Sequence, residues 1–141
     1  MDNHSFGTRS LLELQPVEPW LVEVCHLALK LSPYDFGILC GARTKAEQAL
    51  RLTEGVTQTL RSYHFIQDDG YAHAIDFGVY VDGKYINGDT PEEIGYYRKV
   101  AQAFFTAALI ISAKKGLPVM IEAGGLWRTF VDAGHIQIVK S

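Results

Sequence analysis

Residues 62–77, SYHFIQDDGYAHAIDF, hold two histidines, three aspartates and a serine within sixteen positions, and the run ends in an apolar, strand-like stretch. Imidazole and carboxylate groups are the side chains that bind zinc in hydrolases, where three protein ligands leave a fourth position to water. Taken alone, the segment reads equally well as a polar loop between two elements. A metal needs ligands that converge in space, so distant parts of the chain must supply the others. Of the five histidines, His4 lies in a polar N-terminal tail and His26 in an apolar helical pattern, where it packs or caps. His64, His73 and His135 remain, with Asp76 and Asp132 close by in sequence.

The elements that must position these residues follow from local signals. Residues 17–31 place Leu21, Val24, Cys25, Ala28 and Leu29 on one helical face, and Ser32-Pro33 ends the pattern. FGILC (36–40) suits a buried strand. Thr44 opens a capping box with Glu47, and Gly55 is a stop, which predicts a helix over 45–54. HAIDFGVYV (73–81) is rich in strand formers and runs into Asp82-Gly83, a two-residue hairpin signal, followed by KYI. A second capping box at 90–93, with Pro91 at the first helical position, starts the longest helix. Its core stripe is Ile94, Tyr97, Ala101, Phe104, Ala108 and Ile111, and Gly116 closes it. PVMIEA (118–123) and HIQIV (135–139) read as the last strands. The pattern is α+β: a small, mostly antiparallel sheet with helices packed on one side.

Composition bounds the rest. A chain of 141 residues fits one domain, 1–141, and leaves little room for a second. Its 48% hydrophobic and 21% charged content is that of a globular protein, and a net charge of −3 gives no electrostatic case for nucleic acid. Cys25 and Cys40 are not in a CxxC pair and read as buried free thiols. The start, MDNHSFGTRS, has no basic region leading into an apolar one, so no secretory signal is expected. The longest apolar run, FFTAALIIS (104–112), is far short of a membrane span.

Three stretches carry a more specific message: CGARTKAEQALRLTEGVTQTLRSYH, AHAIDF and GGLWRTFVDAGHIQI. Together they resemble the M15 family of zinc peptidases and, more narrowly, phage endolysins of the L-alanyl-D-glutamate peptidase type. The matching pieces are Ser62-Tyr63-His64, Ala74-Ile75-Asp76 and Asp132-Ala133-Gly134-His135, with Gly41, Arg43, Thr44, Glu47 and Gln48 upstream. The resemblance runs from about Pro33 to Ile138. Two departures stand out. Extra residues within FIQDDGY lengthen the step from the first histidine to the aspartate, and Ala72 stands where the family has glycine. An insertion is tolerable if it bulges as a loop, for which Asp68, Asp69 and Gly70 are suited. Otherwise the register shifts and His73 replaces His64. His73 and Asp76 are an odd number of positions apart, so a regular strand turns them to opposite faces, with Asp76 expected inward.

The resemblance implies a Hedgehog/DD-peptidase-like fold, a Zn2+ cofactor, and His64, Asp76 and His135 as its ligands. Two neutral imidazoles and one carboxylate leave the ion a residual positive charge, which keeps it a good Lewis acid. The competing reading is a histidine pair held by core hydrogen bonds. By resemblance Asp132 is the catalytic carboxylate that takes a proton from the attacking water and passes it to the leaving amine; locally it also suits a turn. Arg43 corresponds to the residue that steadies the oxyanion, with a surface or capping arginine as its alternative. Ser62 is expected to bind substrate or orient His64, and Trp127 to line the cleft or pack in the core. Glu122 has no assigned role, and the Asp68-Asp69 pair reads as solvated, with calcium binding as the alternative.

The implied activity is zinc-dependent hydrolysis of the peptidoglycan stem peptide, at the L-Ala-D-Glu bond, by a phage endolysin. Such a protein is made in the host cytoplasm and acts at the cell wall after release, as a monomer without stable membrane insertion. The alternatives are D-Ala-D-Ala carboxypeptidase or dipeptidase activity, and a non-catalytic wall-binding or virion structural module.

Overall fold

The computed structural model describes residues 5–41, 70–116, 121–124 and 133–138. Among the described residues, three helices, α1 (Thr8–Leu14), α2 (Pro19–Leu31) and α3 (Pro91–Lys115), accompany five strands. The strands are β1 (Asp35–Cys40), β2 (Ala74–Val81), β3 (Lys84–Ile86), β4 (Ile121–Ala123) and β5 (His135–Ile138). They form one sheet in the order β1-β2-β5-β4, with β3 also on β2, and every strand pair is antiparallel. This is the α+β architecture expected from the sequence. The helix expected over 45–54 lies outside the described residues.

Local punctuation accounts for most of these boundaries. The Thr90 hydroxyl accepts from the Glu93 N–H while the Glu93 carboxylate accepts from the Thr90 N–H, with Pro91 at the first turn, so both capping-box bonds are made. Gly116 ends α3 in the left-handed region at φ 70°. In α2 the Glu18 side chain accepts from the Leu21 N–H at 3.1 Å. Asp82 and Gly83 both take positive φ, 51° and 78°, the twist that a two-residue hairpin between β2 and β3 needs.

The core lies between the sheet and the pair α2 and α3. Leu21, Val24, Ala28 and Leu29 meet Val100, Phe104, Ala107 and Ala108 over Phe36, Ile38, Ile75, Phe77 and Val79. Phe36, Phe77 and Phe104 form a mutual ring cluster with centroids 5.1–5.6 Å apart; each such pair is worth about 0.5–1.5 kcal/mol beyond its buried area. Cys25 is wholly buried in this core, and burial pushes its thiol pKa up. Cys40, expected to be buried, is only half so, because it ends β1 at the rim.

Helix α1 has no counterpart in the sequence-based expectation. It lies along the free edge of β1, where the Ser10 hydroxyl accepts from the Ile38 N–H at 3.0 Å and the Glu13 carboxylate from the Gly41 N–H at 3.2 Å. These side chains satisfy an edge that would otherwise offer unpaired donors. The close approach explains Gly41: a β-carbon there would overlap the Glu13 carbonyl oxygen. The strand leading into β2 is tied down similarly. Ala72 is fully buried, its N–H donates to the Pro16 carbonyl at 2.8 Å, and its carbonyl accepts from the Glu18 N–H at 2.9 Å.

Candidate metal centre

Strand β2 divides its side chains between two faces. Ile75, Phe77 and Val79 enter the core, whereas Asp76 is on the opposite face, with its side chain 20% exposed. Strand β5 pairs with β2 so that His135 stands directly across from Asp76. The His135 Nδ1 lies 3.1 Å from the Asp76 Oδ1. Two residues 59 positions apart therefore meet through strand register alone.

The turn that delivers His135 is fixed from beneath. The Phe77 N–H donates to the Gly134 carbonyl at 2.7 Å, and a β-carbon at Gly134 would overlap the Phe77 carbonyl oxygen. Only glycine lets this turn press so closely on β2. The Tyr97 ring stacks on Phe77, with centroids 5.4 Å apart. Its hydroxyl donates to the Ile86 carbonyl at 2.5 Å and accepts from the Val79 N–H at 3.2 Å. Burial raises the Tyr97 phenol pKa, so the hydroxyl keeps its proton for that bond. Tyr97 thus locks α3 to β2 and β3 directly under the turn.

A polar chain continues from the imidazole. His135 Nε2 is 2.7 Å from the Gln137 Oε1, and the Gln137 Nε2 donates to the Glu122 Oε2 at 2.9 Å. His135 and Gln137 are two apart on β5 and share a face, and Glu122 is the cross-strand partner of Gln137 on β4. Sequence reasoning gave Glu122 no role and did not single out Gln137. Only the pairing register of β4 with β5 joins them, and neither residue has a local motif.

The described residues fit part of a zinc site. Imidazole nitrogen and carboxylate oxygen are ordinary zinc donors, and two donors each about 2.05 Å from one ion at a tetrahedral angle would lie roughly 3.3 Å apart. The separation of 3.1 Å is close to that. His135 is 7% exposed, so the pair sits at a sheltered position. Among the described residues no cluster of three possible ligands forms. The third expected ligand, His64, lies outside them, as do Arg43, Ser62, Asp68, Asp69, Trp127 and Asp132.

His73 lies in the structure immediately before β2. It is 4% exposed, and its carbonyl accepts from the Ile138 N–H at 2.8 Å, which extends the β2–β5 ladder by one step. Alternation puts it in phase with Ile75 and Phe77 and out of phase with Asp76. The opposition expected from the odd spacing is present, but its sense is reversed: the core-side phase belongs to His73, and Asp76 lies on the outer face with His135. Gly70 adopts φ 86°, a conformation suited to a loop re-entering the sheet. His26 is exposed and sets its ring edge-on to Phe6, with centroids 5.1 Å apart, a packing role.

Comparison with known proteins places this geometry in context. A family model described as phage L-alanyl-D-glutamate peptidase matches residues 3–139. The L-alanyl-D-glutamate peptidase of Escherichia phage T5 is 32% identical over 142 aligned positions, covering 95% of this chain and 97% of that protein. The enzyme of the same name from Listeria phage A118 is 35% identical over 95 residues, covering 67% of this chain and 27% of its own length. Among solved structures, the Serratia marcescens L-Ala D-Glu endopeptidase ChiX superposes with a TM-score of 0.77 at 31% identity, covering 96% of this chain and 91% of that one.

Proposed function

The chain belongs to the phage L-alanyl-D-glutamate peptidase family, and from that membership we propose that it is a zinc-dependent endopeptidase cutting the L-Ala-D-Glu bond of the peptidoglycan stem. The observation that carries this reading is the Asp76–His135 pair, brought to 3.1 Å across β2 and β5 in a fold shared with an L-Ala D-Glu endopeptidase. His64, Asp76 and His135 would hold the metal. Bound there, zinc supplies Lewis-acid polarisation of the scissile carbonyl and of the attacking water.

The chain's own groups do the remaining work. Asp132, three residues before His135, accepts a proton from the water as it attacks the carbonyl carbon. The same carboxyl returns that proton to the departing D-Glu nitrogen as the C–N bond breaks, leaving a free L-Ala carboxylate and a free amine. The Arg43 guanidinium, permanently charged and rich in donors, balances the negative charge on the carbonyl oxygen. Ser62 and Trp127 contact the stem peptide. Asp132 is only three positions before His135 in the sequence, and the turn at Gly134 presses against β2.

The biology that fits is host lysis. The protein is made in the host cytoplasm and reaches the wall through a membrane lesion; among the described residues no helix is long and apolar enough to cross a membrane. It acts as a monomer that binds the stem peptide.

Mass spectrometry of purified peptidoglycan after digestion tests the bond assignment. The expected products carry a new amino-terminal D-Glu and leave L-Ala on the glycan. Release of only terminal D-Ala would instead establish the carboxypeptidase alternative. Asp132→Asn is expected to retain zinc and lose roughly 10²- to 10⁴-fold in turnover; a near wild-type rate would place the base elsewhere.

A further inference from the structure

The chain His135–Gln137–Glu122 dictates which imidazole nitrogen can face a metal, a dependence that rests on the metal reading above. Glu122, as a carboxylate, only accepts hydrogen bonds, so the Gln137 amide must turn its NH2 toward it, as the 2.9 Å bond shows. The Gln137 oxygen is then committed to the other side, 2.7 Å from the His135 Nε2. An amide oxygen can only accept, so Nε2 must carry a hydrogen. Reversing the amide would set its oxygen against the Glu122 carboxylate, which replaces that attraction with a repulsion. Nδ1 is left as the nitrogen whose lone pair points toward the Asp76 carboxylate, 3.1 Å away. Two electron-rich atoms that close need a positive charge between them, either the proton of an imidazolium or a metal ion that takes its place.

We infer that Gln137 and Glu122 are positioning residues that lock His135 in its Nε2–H tautomer and so present Nδ1, with Asp76, to the zinc ion. Neither residue touches the metal or the substrate. Their effect passes through the imidazole: the oxygen of Gln137 orients the ring and raises the donor strength of Nδ1, and Glu122 prevents the amide from turning. Partners of this kind commonly govern metal affinity, and losing one costs roughly 10- to 100-fold. Their placement is economical in sequence terms. One strand, β5, supplies the ligand and its orienting amide at alternate positions, and the neighbouring β4 supplies the anchor.

The test uses the full chain with selectively 15N-labelled histidine. Long-range 1H–15N spectra of the metal-free protein read the tautomer of His135 directly, and chelator competition reads the zinc dissociation constant. The wild type is expected to show protonated Nε2 when the ring is neutral. Gln137→Leu is expected to lose that preference and to bind zinc roughly 10- to 100-fold more weakly. The exchanged pair Glu122→Gln with Gln137→Glu rebuilds an acceptor beside Nε2 and a donor at 122, so it is expected to recover both the tautomer and most of the affinity. A general loss of structure in Gln137→Leu would not be repaired in that way. Protonated Nδ1 in the neutral wild-type ring, or unchanged zinc affinity in Gln137→Leu, would overturn the inference. Failure of the underlying metal reading looks different: His135→Ala would then bind zinc as well as the wild type, whatever the tautomer.

Discussion

On one side of β2, Ile75, Phe77 and Val79 are each at most 1% exposed and touch a continuous apolar layer from α2, α3 and β1. On the other side, one residue out of phase, Asp76 meets the His135 imidazole, which leans on the Gln137 amide, itself bonded to the Glu122 carboxylate. The first face is supported by many non-directional contacts, each individually weak, so loss of one is shared among its neighbours. The second is a series of directional bonds, each of which depends on its own geometry. A mutation on the first face should therefore register as stability, and one on the second as metal binding and turnover with the fold intact.

The sharpest way to break that contrast is His135→Ala. Bound zinc and peptidoglycan hydrolysis are both expected to vanish while the far-ultraviolet circular dichroism of the metal-free protein stays unchanged; retained activity would remove the metal assignment. Next comes the pair His64→Ala and His73→Ala, measured for zinc content and thermal stability. His64→Ala should lose the metal, whereas His73→Ala, altering a buried residue in the core-side phase of the strand, should keep it and melt at lower temperature. If only His73→Ala loses zinc, His73 takes the place of His64 as the ligand.

On the apolar face, Phe77→Ala should cost about 3–5 kcal/mol in urea unfolding, because it empties the centre of the ring cluster. Zinc affinity of the fraction that remains folded should change far less. Smaller still is Tyr97→Phe, which leaves the Ile86 carbonyl and the Val79 N–H without their hydroxyl partner and is expected to cost about 1–3 kcal/mol. Because Tyr97 supports the turn before His135, this variant also measures how far the two faces communicate: a fall in zinc affinity beyond the stability loss would show coupling through Gly134.

What could be read in the sequence, and what could not, follows the same division. The capping box at Thr90, the Asp82-Gly83 hairpin and the run of strand formers along β2 are local devices, and the structure contains each of them. Helix α1 was not legible because its Gly7 start has no side-chain cap and its seven residues are held by bonds to the edge of β1. The inward sense assigned to Asp76 failed for a related reason. Alternation tells which residues share a face, but which face meets the helices depends on tertiary packing. In the centre itself, Asp76 and His135 were visible through the motif pieces at AIDF and DAGH. Gln137 and Glu122 were invisible because their meaning arises only when β4 and β5 pair in one particular register.

Anomalous diffraction at the zinc edge from crystals of the zinc-loaded protein addresses the central claim most directly. The account predicts one strong peak within bonding distance, about 2.0–2.2 Å, of both the His135 Nδ1 and an Asp76 carboxylate oxygen, with the His135 Nε2 still bonded to Gln137. A peak elsewhere, or a zinc-loaded crystal in which His135 and Asp76 bond to each other with no ion between them, would contradict it.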